Sequence, residues 1–113
     1  VLPAEWNENA PIAVLEAFAH GKPVIGSALG GIPELVEEGR TGRLFPAGDV
    51  SALRDCLGSL WNDRTAWSEL GDAGRRRVIA DYSPARHVEN LLTLYERVLR
   101  ETSHPPVNRT PTN

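Results

Sequence analysis

The sequence predicts an α/β fold with a short parallel sheet, and three observations lead to this prediction. Short β-branched runs alternate with segments of helical periodicity, as in parallel sheets with crossover helices. Glycine or proline separates these segments. Only three strand candidates occur, whereas a doubly wound sheet normally has more. We therefore interpret the chain as the second half of a doubly wound domain.

Four elements are expected in the first forty residues. Gly21 and Gly39 mark the ends of the two helical segments. Proline at position 11 suits a first helical turn, because its missing N–H would have no intrahelical partner there. In chain order the elements are the end of a strand at 1–3, a helix at about 11–19, a strand at 23–27 and a helical segment at 32–38.

The remainder of the chain predicts one further strand, at 43–45, and three helices. Asp49 is expected to cap the first of these helices, which buries apolar residues at helical spacing (Leu53, Leu57 and Leu60). The second helix covers about 64–80 and is loosened by Gly71 and Gly74. Ser83-Pro84 opens a long amphipathic helix.

Several marked residues of this half have structural interpretations. We expect Trp61, Trp67 and Cys56 to pack, and the run Arg75–Arg77 to be solvated surface. The residues 103–113 hold three prolines and almost no apolar side chains, so we expect a disordered tail there. One domain is therefore expected at 1–102.

Composition excludes several classes of function. The net charge of -3 offers no polycation for nucleic acid, and no apolar run approaches the ~18 residues that a membrane span needs. A single cysteine excludes an internal disulfide and a cysteine cluster for zinc. We expect a soluble cytoplasmic protein, and a place at the cytoplasmic face of the membrane is compatible with this expectation.

The stretch WNENAPIAVLEAF carries two glutamates, Glu8 and Glu16, and Glu16 lies in an otherwise apolar helix. Such a helix is normally buried, so the Glu16 carboxylate is expected to need donors. The donors could be protein groups, such as His20, a distant arginine or a backbone N–H. Alternatively, the two carboxylate oxygens could accept from a vicinal diol, as on a ribose.

Glu8 precedes the helix start, where free N–H groups and the helix dipole attract anions. Glu16 is about five residues into the helix, or roughly 7–8 Å along its axis. One nucleoside diphosphate could span a phosphate site at the helix start and a ribose site at Glu16. By spacing alone, however, two glutamates on a helix edge are more often structural.

Residues 8–49 carry five short motifs in order. These are Glu followed after seven residues by Glu-Ala, then Gly-x-Pro-Val, Gly-Gly-x-x-Glu, Gly-x-x-Gly-x-Leu and Pro-x-Gly-Asp. In this pattern the chain resembles the C-terminal, nucleotide-binding half of group-1 retaining glycosyltransferases with the GT-B fold. The resemblance implies a Rossmann-like domain and transfer of a sugar from a nucleoside diphosphate sugar, of UDP or GDP type, to an acceptor hydroxyl.

The resemblance also implies roles for individual residues. Glu16 binds the ribose hydroxyls, and Glu8 is the catalytic candidate beside the transferred sugar. The backbone of Asn9, Ala10 and Ile12 receives the diphosphate, because Pro11 has no N–H to donate. No metal or other cofactor is implied. Gly30-Gly31 is interpreted as a tight turn rather than a phosphate cradle, and Glu34 as either a cap or a ligand contact.

In the family, the arginine and lysine that grip the diphosphate and the acceptor-binding domain lie upstream of this segment. The expected partners are therefore a nucleotide-sugar donor, an unknown acceptor and the missing N-terminal half of the enzyme. We expect the isolated chain to be inactive. Two alternatives stay open: a non-catalytic relic that serves as an interaction module, and a fragment of a GT-B isomerase or phosphorylase.

Overall fold

The computed structural model describes residues 1–102, so the tail predicted at 103–113 lies outside the described residues. Seven elements follow one another along the chain. They are α1 (Ile12–Ala19), β1 (Val24–Ser27), α2 (Ile32–Leu35), β2 (Gly42–Phe45), α3 (Val50–Asn62), α4 (Arg64–Asp81) and α5 (Pro84–Thr102). The first six elements belong to one compact unit, Val1–Tyr82, and α5 belongs to a second unit that begins at Ser83.

The sheet is parallel, with β1 paired to β2 in a register that sets Val24 opposite Gly42. On the other side of β1, Leu2 forms a parallel bridge with Gly26. The Leu2 N–H donates to the Ile25 carbonyl at 2.8 Å, and the Ser27 N–H donates to the Leu2 carbonyl at 3.1 Å. The strand end predicted at 1–3 is present as a single parallel bridge at Leu2, and its pairing with β1 is a finding of the structure. The α/β class is confirmed.

The sheet has a core cluster on each face, because successive side chains of a strand point to opposite faces. Val24 packs with Val14 and Phe18 of α1 in the first cluster. Ile25 packs with Phe45, and with residues of α3 and α4, in the second. Both faces of β1 are therefore covered, and all four of its residues are buried.

Two glycines bring α4 against the segment that contains α1. A Cβ at Gly74 would lie 2.5 Å from Cδ1 of Phe18, and one at Gly71 would overlap the carbonyl oxygen of Gly21. From the sequence these glycines are expected only to be weak helix formers, whereas both are also buried contact points. The absence of a side chain there allows a close helix packing.

Helix α2 ends at Leu35, earlier than the segment predicted at 32–38. Val36 is extended, with φ -96° and ψ 111°, and is 0% exposed. The next residue donates its N–H to the Thr41 hydroxyl at 2.9 Å rather than to a helical carbonyl. Burial of Val36 in the first core cluster thus outweighs continuation of the helix.

Helix α3 begins as predicted, since the Asp49 carboxylate accepts the N–H of Ala52 at 2.9 Å. Leu60 is buried, whereas Leu57 is 43% exposed, so the prediction that the whole apolar face is buried is wrong. Trp61, predicted to pack, is 67% exposed. Leu57 and Trp61 line an apolar groove of about 580 Å³ beside Ile25.

The second unit is described through α5 alone. The helix begins at Pro84, as the sequence predicts. The hydroxyl of Ser83 accepts the N–H of Arg86 at 3.3 Å, which is the expected cap. No helix within residues 1–102 is both long enough and apolar enough to span a lipid bilayer.

Candidate functional site

The loops that follow Leu2 and β1 meet at the carboxyl edge of the sheet. The Ser27 hydroxyl, which is fully buried, donates to the Ala4 carbonyl at 2.9 Å and holds the first loop to the end of β1. The Gly31 N–H donates to the Glu8 carbonyl at 2.6 Å. Ligands of open α/β sheets bind outside this edge, so the residues that follow Ala4 occupy the position where a site is expected.

Helix α1 starts at this edge without a side-chain cap. Pro11 is the N-cap residue, with φ -68° and ψ 105°, one position earlier than the first helical turn predicted for it. The Val14 N–H donates to the Pro11 carbonyl at 3.0 Å. The amides of Ile12 and Ala13 belong to the first turn, where N–H groups have no intrahelical acceptor. An anion is stabilised at such a helix start.

Glu16 lies on the exposed side of α1, so the expectation that it is buried is wrong. The buried residues of α1 are Val14 and Phe18, and Ile12, one turn before Glu16, is 68% exposed. Among the described residues, the Glu16 carboxylate has no hydrogen bond or ion pair. Water solvates it, and the argument from desolvation does not apply. Ile12 and Glu16 instead form an open stripe on one helix face.

Glu8 is half-buried and is held at two points. Its carboxylate oxygen Oε1 accepts from the indole Nε1 of Trp6 at 2.8 Å. Its backbone carbonyl accepts the Gly31 N–H described above. Neither contact was predicted from the sequence, because both depend on the path of the polar turn.

The two glycines of the Gly30–Gly31 turn have different requirements. Gly30 has φ +57°, as the predicted tight turn requires. Gly31, with φ -80°, is in the right-handed region, so backbone freedom does not explain it. A Cβ on Gly31 would overlap the carbonyl oxygen of Asn9. The interpretation as a tight turn therefore accounts for Gly30 and misses the contact that Gly31 makes.

Arg77 is a further residue whose contacts the sequence did not predict. Its guanidinium donates to the carbonyls of Leu35 at 2.7 Å and Glu34 at 2.8 Å, and it pairs with Glu37 at 3.0 Å. The prediction of a solvated surface is wrong for Arg77, whose side chain is 20% exposed, although Arg75 and Arg76 are exposed. Arg77 thus fixes the end of α2, while the Glu34 side chain is exposed.

Cys56 packs against the second core cluster, as predicted. Burial raises the pKa of its thiol, and the negative charge of Glu38 adds to this shift. Residues 1–102 contain no group of three or more His, Cys, Asp and Glu side chains arranged as metal ligands.

Parallel strands covered by helices, with an uncapped helix start at the carboxyl edge of the sheet, define an open α/β domain. Comparison with known families identifies the family as well as the fold class. The model of the family "Glycosyl transferases group 1" matches residues 1–63, more than half of the chain. The chain belongs to this family.

Curated relatives carry the match to the end of α4 and beyond. N-acetyl-alpha-D-glucosaminyl L-malate synthase of Bacillus anthracis is 34% identical over 94 residues, which are 83% of this chain and 25% of the relative. Alpha-maltose-1-phosphate synthase of Mycolicibacterium smegmatis is 41% identical in an alignment 97 residues long, which covers 80% of this chain and 25% of the relative. The chain therefore spans about a quarter of the length of these relatives.

Solved structures show the same fold. Sucrose-phosphate synthase from Thermosynechococcus elongatus superposes with a TM-score of 0.77 at 31% identity, over 88% of this chain and 25% of that one. The Anabaena protein HepE, solved in complex with UDP, superposes with a TM-score of 0.72 over 83% of this chain and 26% of that one. At 24% identity, the match to HepE shows the fold alone. The predicted GT-B fold class is confirmed.

Proposed function

We propose that this chain is the donor-binding part of a retaining glycosyltransferase. The enzyme moves a sugar from a nucleoside diphosphate sugar to an acceptor hydroxyl. The observation that carries the proposal is the edge from Glu8 to Glu16, where Asn9, Ala10, Ile12 and Glu16 are exposed and which lies within the part of the chain that matches the family. This edge joins an uncapped helix start to a carboxylate that has no protein partner among the described residues.

The helix start and Glu16 hold the nucleotide in this proposal. The backbone at Asn9, Ala10 and Ile12 receives the diphosphate, where the helix dipole favours negative charge. Glu16 accepts two hydrogen bonds from the ribose hydroxyls, which is the capacity of an ionised carboxylate. Its exposure means that binding replaces water–carboxylate bonds with ribose–carboxylate bonds.

Glu8 faces the transferred sugar. As the bond to the diphosphate breaks, positive charge develops at the anomeric carbon and negative charge on the leaving diphosphate. The Glu8 carboxylate stabilises the positive charge at the anomeric carbon, and the amides of the helix start stabilise the negative charge on the diphosphate. Fixed groups of this kind lower the barrier because they do not have to reorganise during the reaction.

UDP is the first nucleotide to test, because the structural relative HepE was solved with it. GDP is the second, since ribose contacts are common to both. The acceptor and the cations that neutralise the diphosphate come, in this proposal, from the remainder of a longer enzyme, which is expected to act in the cytoplasm and without a metal.

The test uses the polypeptide at its natural full length and radiolabelled UDP- and GDP-sugars. We expect Glu16→Gln to raise the KM for the donor about tenfold, and Glu8→Gln to lower kcat by about 10²-fold or more. Glu5→Gln is the matched control, because Glu5 is an exposed carboxylate of the same turn. Transfer that is unchanged in both Glu8→Gln and Glu16→Gln would refute the proposed roles.

A further inference from the structure

We propose that the Gly30–Gly31 turn is a positioning element for the Glu8 carboxylate. The turn fixes the backbone of Glu8 and Asn9 through one hydrogen bond and two close contacts. This inference rests on the proposed function, since it assigns the turn to the same reaction. It differs from the interpretation of the two glycines as a phosphate cradle or as a simple turn.

The first observation is the hydrogen bond from the Gly31 N–H to the Glu8 carbonyl, at 2.6 Å. Gly31 is the N-cap residue of α2, and the next residue, Ile32, is 0% exposed in the first core cluster. Arg77 holds the other end of α2 through the carbonyls of Glu34 and Leu35. The donor therefore stands on an element that is anchored at both ends.

The second observation is that the two glycines leave no room for a side chain. A Cβ on Gly30 would lie 2.5 Å from the oxygen and 2.8 Å from the nitrogen of Glu8. A Cβ on Gly31 would overlap the Asn9 carbonyl oxygen. Real Cβ atoms do not approach backbone atoms this closely, so any other residue would displace the Glu8–Asn9 backbone or the turn.

A displacement there acts on catalysis through Glu8. A misplacement of about 1 Å at a reacting group can cost about 10²-fold in rate. Glu16 lies about one turn into α1 and is not among the atoms nearest a Cβ at either glycine, so donor binding through the ribose is expected to survive. The signature of a positioning role is therefore a loss in kcat with little change in KM.

The matched pair of variants is Gly30→Ala and Gly39→Ala. Both glycines have positive φ, +57° and +70°, so both variants carry left-handed strain. Only Gly30 contacts Glu8, since a Cβ at Gly39 meets open space. At natural full length we expect Gly30→Ala to lower kcat about 10- to 100-fold with donor KM within about threefold. We expect Gly39→Ala to leave kcat within about threefold, and equal losses in the two variants would overturn the inference.

A double-mutant cycle separates positioning from a general structural effect. When Glu8 is already glutamine, Gly30→Ala is expected to cause little further loss in kcat, because both changes act on one carboxylate. If instead the two losses multiply, the turn acts independently of Glu8 and the inference is wrong.

NMR of the 113-residue chain tests the contact independently of any activity. A scalar coupling through the hydrogen bond between the Gly31 nitrogen and the Glu8 carbonyl carbon is expected in the wild-type chain, and its absence refutes the contact even where Gly30→Ala does not fold. In Gly30→Ala, the amide resonances of residues 7–9 should shift, and in Gly39→Ala they should stay in place. A wild-type enzyme that transfers no sugar would refute the proposed function, while these resonances would still decide on the contact.

Discussion

At the scale of single residues, Trp6 is a side chain whose contribution can be isolated. Its indole N–H donates to the Glu8 carboxylate at 2.8 Å, although the ring is 68% exposed. Trp6→Phe keeps an aromatic ring and removes this donor. An exposed hydrogen bond contributes about 0.5–1.5 kcal/mol, so we expect kcat to fall roughly 2- to 10-fold.

Trp61→Phe is the control for this prediction, because Trp61 is 67% exposed and lies in α3 rather than in the Glu8 turn. Steady-state kinetics at natural full length should show the loss for Trp6→Phe alone. A loss of the same size in both variants would mean that the Glu8–Trp6 bond has no special role.

Arg77 illustrates how far sequence reasoning reaches for one side chain. Three consecutive arginines indicate a charged surface, and two of them are exposed as expected. The third donates to carbonyls that lie 42 and 43 residues earlier in the chain. No local pattern carries this information, since it depends on the way α4 packs beside α2.

We expect Arg77→Ala to destabilise the chain by about 1–3 kcal/mol, because two carbonyls and Glu37 lose a charged donor. Arg75→Ala, on the exposed side of the same helix, should stay within about 0.5 kcal/mol. Urea unfolding followed by circular dichroism measures both values. Indistinguishable midpoints for the two variants would contradict the role assigned to Arg77.

At the scale of elements, the contact between α1 and α4 depends on a missing side chain. A Cβ at Gly74 would lie 2.5 Å from the Phe18 ring, and Phe18 is 1% exposed. The added methyl group must push α4 away from α1 or force the ring into another rotamer. Overpacking of this kind typically costs about 1–3 kcal/mol.

Gly74→Ala is therefore expected to lower the free energy of unfolding by about 1–3 kcal/mol, although alanine has the higher helix propensity. Gly58→Ala is the control in α3, because a Cβ there meets no atom within 4 Å. It should raise stability by up to about 1 kcal/mol. Urea titrations of the two variants should thus move in opposite directions, and a stabilised Gly74→Ala would refute the packing argument.

The elements that the sequence predicted well are those fixed by local chemistry. Asp49 and Ser83 cap helices through bonds to residues three positions later, and β1 is a short run of β-branched and small residues. Val36 and Trp61 were predicted wrongly. Whether each is covered depends on residues far away in sequence, which periodicity does not reveal.

The candidate site was predicted through motif order rather than through burial. The expectation that Glu16 is buried rested on the apolar composition of α1, yet only one side of this short helix meets the core. The spacing of Glu8 and Glu16, in contrast, depends on local geometry. It places a helix start between the two residues and Glu16 about one turn into the helix, and the structure has this arrangement. The contacts of Gly30 and Gly31 with the Glu8 turn required the folded chain.

At the scale of the whole molecule, the proposed site is open on one side. Asn9, Ala10, Ile12 and Glu16 are all exposed, and the chain spans about a quarter of the length of its relatives. Charges in a site that is open to water interact weakly, because water screens them. We therefore expect the 113-residue chain to bind UDP or GDP only weakly and to transfer no sugar.

Incubation of the purified chain with radiolabelled UDP- and GDP-sugars tests this expectation, with the polypeptide at natural full length as the positive control. Titration with UDP should shift the amide resonances of Asn9, Ala10 and Ile12 only at millimolar concentrations. A millimolar Kd corresponds to a binding free energy of about −4 kcal/mol. The same titration on Glu16→Gln should shift them less. Turnover by the 113-residue chain alone would contradict the proposal that the remainder of a longer enzyme completes the site. The residues from Glu8 to Glu16 would then suffice for catalysis although their site is open to water on one side.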